Sequence, residues 1–179
     1  KNTNITYLEL ETGKYRNSFA AAMAEYVSTS KHLHHIRWSE DWGPMVDCRD
    51  FILPHREEMF SWFLPAIQES TSLKELHMEL PSRGGPSNLA LENMLTHTQS
   101  LRSLRLFCQV DQLDDIALAG ALSGLKKNTT LRELTLHTRG ATTLSPALTS
   151  LRDHPLRPRV SLRGHAVDLT GLAPVFLSK

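Results

Sequence analysis

Residues Leu122 to Leu136 read LSGLKKNTTLRELTL, and the fold turns on how the apolar positions in that stretch are spaced. Leu131, Leu134 and Leu136 form a phrase: apolar, two residues, apolar, one residue, apolar. The last two positions alternate with polar neighbours, as a strand with one buried face does. Upstream, Leu125 stands six residues before Leu131, and Ala121 stands ten before it. Those two sites are four apart and therefore share one face of a helix. The stretch predicts a helix, a short loop and a strand, with the helix face and the strand face buried against each other.

The same two registers recur along the chain. The phrase appears as Ile5, Leu8, Leu10, as Leu33, Ile36, Trp38, as Leu73, Leu76, Met78, and as Leu101, Leu104, Leu106. The helix register accompanies the last three as Val27 with Met23, Ile67 with Phe63, and Leu95 with Leu91. A further phrase starting at Arg157 puts Val160 and Leu162 in the strand sites and Leu151 and Ala147 in the helix sites. The starts at 5, 33, 73, 101, 131 and 157 lie 28, 40, 28, 30 and 26 residues apart. Four of these intervals suit a unit of one strand and one helix. Leu172, Val175 and Leu177 repeat the phrase only 15 residues later, too soon for another helix, so residues 164–179 are expected to form a closing strand or cap.

A unit of this kind exposes an apolar strand face and an apolar helix face that it cannot cover alone. Stacking covers both. The expectation is an α/β solenoid bent into a short arc, with a parallel sheet on the concave face and helices on the convex face. Leu122–Leu136 and Leu95–Leu106, the latter reading LTHTQSLRSLRL, resemble the helix-to-strand passage of ribonuclease-inhibitor-like leucine-rich repeats. The resemblance spans roughly residues 4 to 163 and implies a single domain of about five to six repeats over residues 1–179. One position departs from it. The family usually carries Asn or Cys three residues after the last strand leucine, where this chain has Gly13, Asp41, Pro81, Gln109 and Arg139. Gly13 and Pro81 offer no side-chain hydrogen bond there, so irregular turns are expected.

The interval of 40 contains about a dozen extra residues within Glu40 to Glu58, EDWGPMVDCRDFILPHREE. Trp42, Phe51, Ile52 and Leu53 stand there among acidic residues. Such insertions emerge as loops on one edge of a repeat array. Two readings stay open: the apolar cluster folds back over the edge, or Trp42 and Phe51 contact a partner. Pro65 falls inside the following helical pattern and predicts a kink or a late start.

Little in the chain points to chemistry. His32, His34 and His35 invite a metal reading, but further ligands would have to come from distant chain, His77 or Asp47, and no close-set Cys/His grouping exists. The expectation is no metal and no cofactor. Cys48 and His55 do not form a thiol–base motif with fixed geometry. Gly84-Gly85 lacks the lysine that a phosphate loop needs. The chain is therefore expected not to be an enzyme.

A net charge of +1 provides no broad attraction for nucleic acid or anionic lipid. No apolar run approaches the ~20 residues of a membrane span. Two cysteines, Cys48 and Cys108, suit a reducing, cytoplasmic setting better than a secreted disulfide framework, although one bridge between them stays open. Asn4-Ile5-Thr6 and Asn128-Thr129-Thr130 match the short glycosylation pattern, which arises often by chance. The chain begins at Lys1 without a leader-like segment and reads as a piece of a longer protein.

What remains is a surface. Residues flanking the buried strand sites should point away from the helices and align in columns across the sheet. The first column is Tyr7, His35, Glu75, Ser103, Glu133, Arg159; the middle one is Glu9, Arg37, His77, Arg105, Thr135, Ser161; the third is Glu11, Ser39, Glu79, Phe107, His137, Arg163. Mixed charge with a few aromatics and arginines suits a protein partner. The candidate contact residues are Tyr7, Glu9, His35, Arg37, His77, Arg105, Phe107 and His137. The expected role is a monomeric, intracellular protein-interaction module in a larger protein. The alternative is a structural or autoinhibitory segment of a multidomain nucleotide-binding or signalling protein.

Overall fold

The computed structural model describes residues 4–11, 17–39, 60–79, 86–109, 123–125, 127–139, 142–143, 159–164 and 167–168. Strands and helices alternate: β1 (Tyr7–Glu11), α1 (Asn17–Thr29), β2 (His35–Ser39), α2 (60–69), β3 (Glu75–Glu79) and α3 (Pro86–His97). They continue as β4 (Ser103–Gln109), helical residues at 123–125 and 127, β5 (Glu133–Arg139), β6 (Thr142–Thr143), β7 (Arg159–Gly164) and β8 (Val167–Asp168). Strands β1, β2, β3, β4, β5 and β7 form one sheet in that order, every pair parallel. Sequential order with parallel pairing requires each connection to return across the sheet, and from β1 to β5 the described helical residues lie in those connections.

The apolar registers explain the packing. Ile36, Leu76, Met78, Leu104, Leu106, Leu134 and Leu136 from the strands are fully buried, in one cluster with Val27, Phe63, Ile67, Leu91, Leu95 and Leu125 from the helical register. Trp38 lies between Phe60 and Phe63, with ring centroids 4.8 and 5.3 Å away. The helices therefore share one face of the sheet, and the other face carries no helix among the described residues. The sixth strand follows the counting as well: Leu134 pairs with Val160 and Leu136 with Leu162.

Four details differ from the sequence reading or go beyond it. The strands start two residues after the first apolar position of each phrase. Leu33, Leu73, Leu101 and Leu131 lie in connectors 30–34, 70–74, 98–102 and 128–132, fully buried although outside the strands. Second, Gln109 and Arg139, placed by the repeat at a turn, are still strand residues paired with each other. Third, Pro65 stands within the helical residues 60–69 and is exposed. Fourth, β6 and β8 pair as a separate two-stranded parallel sheet, which no periodicity announces.

The connectors hold a polar ladder. Ser30, Ser70 and Asn128 each turn a side-chain oxygen back onto the backbone N–H of the connector leucine: Leu33 at 3.2 Å, Leu73 at 3.3 Å and Leu131 at 2.7 Å. The next unit then reaches across. Ser72 Oγ donates to Ser30 O at 2.7 Å, Ser100 Oγ to Ser70 O at 2.7 Å, and Asn128 Nδ2 to Leu95 O and Thr98 O at 2.8 and 3.3 Å. Helix C-termini leave carbonyls without intrahelical partners. Here the following repeat answers them, so the same bonds cap one helix and join two units.

Residues 40–59, which contain Trp42, Phe51, Cys48 and His55, lie outside the described residues. So do Gly84-Gly85 and 169–179. Asn128 is 1% exposed and its amide is fully engaged, so this acceptor-like triplet is structural in the folded chain.

Candidate functional site

Strand alternation decides which side chains reach the helix-free face. Tyr7, Glu9, His35, Arg37, Glu75, Ser103, Arg105 and Glu133 alternate along their strands with the buried Leu10, Ile36, Leu76, Leu104 and Leu134, and the pairing aligns them. Tyr7, His35, Glu75, Ser103, Glu133 and Arg159 are successive register partners, as are Glu9, Arg37, His77, Arg105, Thr135 and Ser161. In the third column Glu11 pairs with Ser39, and Glu79, Phe107, His137 and Arg163 follow one another. Both full columns match the sequence count residue for residue.

Over β1 to β3 the side chains of this face touch one another. Tyr7, 46% exposed, donates its hydroxyl to Glu9 Oε2 at 3.1 Å and lies over the His35 ring with centroids 4.7 Å apart. Glu9 Oε1 meets Arg37 Nη1 at 3.3 Å. With side chains 40 and 50% exposed, this pair adds at most about 1 kcal/mol and serves mainly to orient both groups. His35 Nδ1 is 3.0 Å from Glu75 Oε2, and its ring meets His77 edge to face at 4.6 Å. His77 is buried although it points away from the helices. Arg105 and Phe107 are half-buried on the same face. His137 takes its expected register position.

The structure divides the histidines in a way the sequence does not. His32 and His34 are exposed in the connector before β2. His35 is drawn instead to Glu75 and His77, and one ligand-type atom from each of the three lies within 4.8 Å of the others. Glu75, absent from the candidates above, completes the group. Its signal was present in the columns, where it is the direct neighbour of His35. That relation appears only once the 40-residue interval is bridged.

No protein-family profile matches the chain, and no curated protein matches it. Among solved structures it is similar to one titled "Leiomodin-1 Actin-Binding Site 2 (ABS2)", at 14% identity with a TM-score of 0.57. The match covers 84% of this chain and 78% of that one. What they share is the fold. At this identity the likeness speaks for the alternation of parallel strands and helices, not for particular residues. No described helix is long and apolar enough to cross a membrane.

Proposed function

We propose that this chain is a non-enzymatic protein-interaction module, built as a ribonuclease-inhibitor-like leucine-rich-repeat solenoid and binding its partner on the helix-free, concave face of the sheet. The observation that carries this reading is the pair of continuous columns from β1 to β7. They present Tyr7, Glu9, Arg37 and Arg105 in fixed register on a backbone locked by parallel pairing. A rigid surface loses little freedom on binding, which favours specific recognition. Mixed charge, an exposed tyrosine and arginines are the residue types that anchor protein interfaces. The structural neighbour's title names an actin-binding site, which fits a protein as the class of partner.

The test is a comparative capture. Wild-type chain and a triple variant, Arg37→Glu, Arg105→Glu and Phe107→Ala, are immobilised and challenged with the same lysate. Partners held by the wild type should be absent from the variant, whose melting must remain cooperative. Retention of every partner by a folded variant moves the contact elsewhere, to the helices or the insertion.

A further inference from the structure

We propose that His35, Glu75 and His77 form a binding site for a divalent transition-metal ion of the zinc class on the helix-free face. The inference is independent of any protein partner.

The argument begins with placement. His35 and Glu75 are direct register partners on β2 and β3, and His77 follows Glu75 by two residues on the same face of β3. Two adjacent paired strands therefore present three donors over one small area, with positions set by backbone hydrogen bonds. Neighbouring strands are about 4.8 Å apart, and residues two apart on one strand are separated by under 7 Å. Side chains from such positions converge readily.

The distances follow. His35 Nδ1 and Glu75 Oε2 are 3.0 Å apart, and the three ligand-type atoms all lie within 4.8 Å of one another. In a tetrahedral site with bonds of about 2.0–2.1 Å, ligand atoms are separated by about 3.3 Å. One edge is already near that value. The two remaining edges both run to His77 and are at most 4.8 Å, so closing them takes up to about 1.5 Å of adjustment shared between the His77 ring and the Glu75 side chain, which is 47% exposed.

The cluster is not satisfied as it stands. Nε2 of His35 is buried and has no hydrogen-bond partner among the described residues. An imidazole gives an ion one nitrogen, and His35 has two to offer: Nδ1, which faces the Glu75 carboxylate, or Nε2, which has no partner among the described residues.

The donor set selects the ion. Two imidazoles and one carboxylate suit zinc, cobalt, nickel or ferrous iron, and suit calcium or magnesium poorly because those ions want more oxygen ligands. Arg37 is two residues from His35 but is turned to Glu9 at 3.3 Å. Arg105 is the register partner of His77 on the next strand, and its positive charge opposes any cation, so an ion here must be held by its ligand bonds. Three protein ligands leave at least one position for water or an outside donor group.

The experiment uses purified chain without tag histidines and zinc chloride alone, titrated by calorimetry, with cobalt absorption spectra as a second readout. The expected result is one zinc ion per chain and a four- or five-coordinate cobalt spectrum. Glu75→Gln and His35→Gln should each weaken binding by at least about tenfold, while His32→Ala with His34→Ala leaves it unchanged. Thermal melts establish that each variant is folded, and the half-exposed Glu75 gives the variant least likely to disturb the fold. Absence of saturable one-to-one binding to the wild type overturns the proposal. So does binding that survives intact in folded Glu75→Gln and His35→Gln, or that is lost with His32 and His34.

Discussion

Asn128 uses both ends of its amide. Its oxygen accepts from the N–H groups of Thr130 and Leu131 at 2.8 and 2.7 Å, and its nitrogen donates to Leu95 O and Thr98 O in the preceding unit. Truncation leaves buried backbone groups unanswered, the expensive side of hydrogen-bond energetics, at about 1–3 kcal/mol per group. Asn128→Ala should therefore lower stability by at least about 2 kcal/mol in a denaturant titration, far more than a connector polar residue on an exposed surface. Thr98 supplies the contrast: its hydroxyl is buried with no partner among the described residues. Thr98→Val should be neutral or slightly stabilising in the same assay, because it removes a polar atom that gains nothing. The apolar half of this pattern was legible in the sequence and the polar half was not. Leucine at fixed spacing stands out, whereas Ser30, Ser70 and Asn128 are of two residue types whose shared role appears only when helix ends and neighbouring connectors are in place.

Helix packing against the sheet sets what each element tolerates. Leu104 is wholly buried between β3 and β5 in register with Leu76 and Leu134. Leu104→Ala leaves a cavity that the paired strands cannot collapse into, and should cost about 2–5 kcal/mol, read as a fall in the denaturation midpoint. Between helices the tolerance is smaller still. A Cβ on Gly124 would lie 2.5 Å from the backbone oxygen of Glu92 in α3, so the helical turn at 123–125 approaches α3 more closely than alanine permits. Gly124→Ala should destabilise the chain despite the better helix propensity of alanine, and a melting temperature at or above wild type would show that the two segments are not in contact. Periodicity exposed the helix and strand faces that pack here because burial repeats every turn and every second residue. It did not expose Gly124, since a close approach between helices leaves no repeating signature. Pro65 stands inside the described helical residues, which run through it to 69.

A stack whose units touch only their neighbours does not respond to damage evenly. β1 is at the edge of the sheet and β3 is inside it, with partners on both sides. Leu10 on β1 and Leu76 on β3 are both buried apolar strand residues, so an aspartate at either position carries a similar local penalty. The consequences should differ. Leu76→Asp opposes burial against β2, β4 and the helices together, and so divides the array, eliminating a single cooperative transition. Leu10→Asp frays the terminal unit: amide protection should be lost in β1 and α1 while β3 to β5 retain theirs in hydrogen exchange. The metal cluster belongs to this same scale. His35 and Glu75 are 40 residues apart in sequence and become neighbours only because β2 and β3 pair in register. Column counting placed them side by side, but the spacing of β2 and β3 and the turn of each ring were needed to make three separate residues one site. If Leu76→Asp unfolds the interior strands, zinc binding should vanish with them, whereas Leu10→Asp should retain it. Loss of binding in Leu10→Asp, with β2 and β3 still protected, would mean that β1 and Tyr7 take part in holding the cluster together.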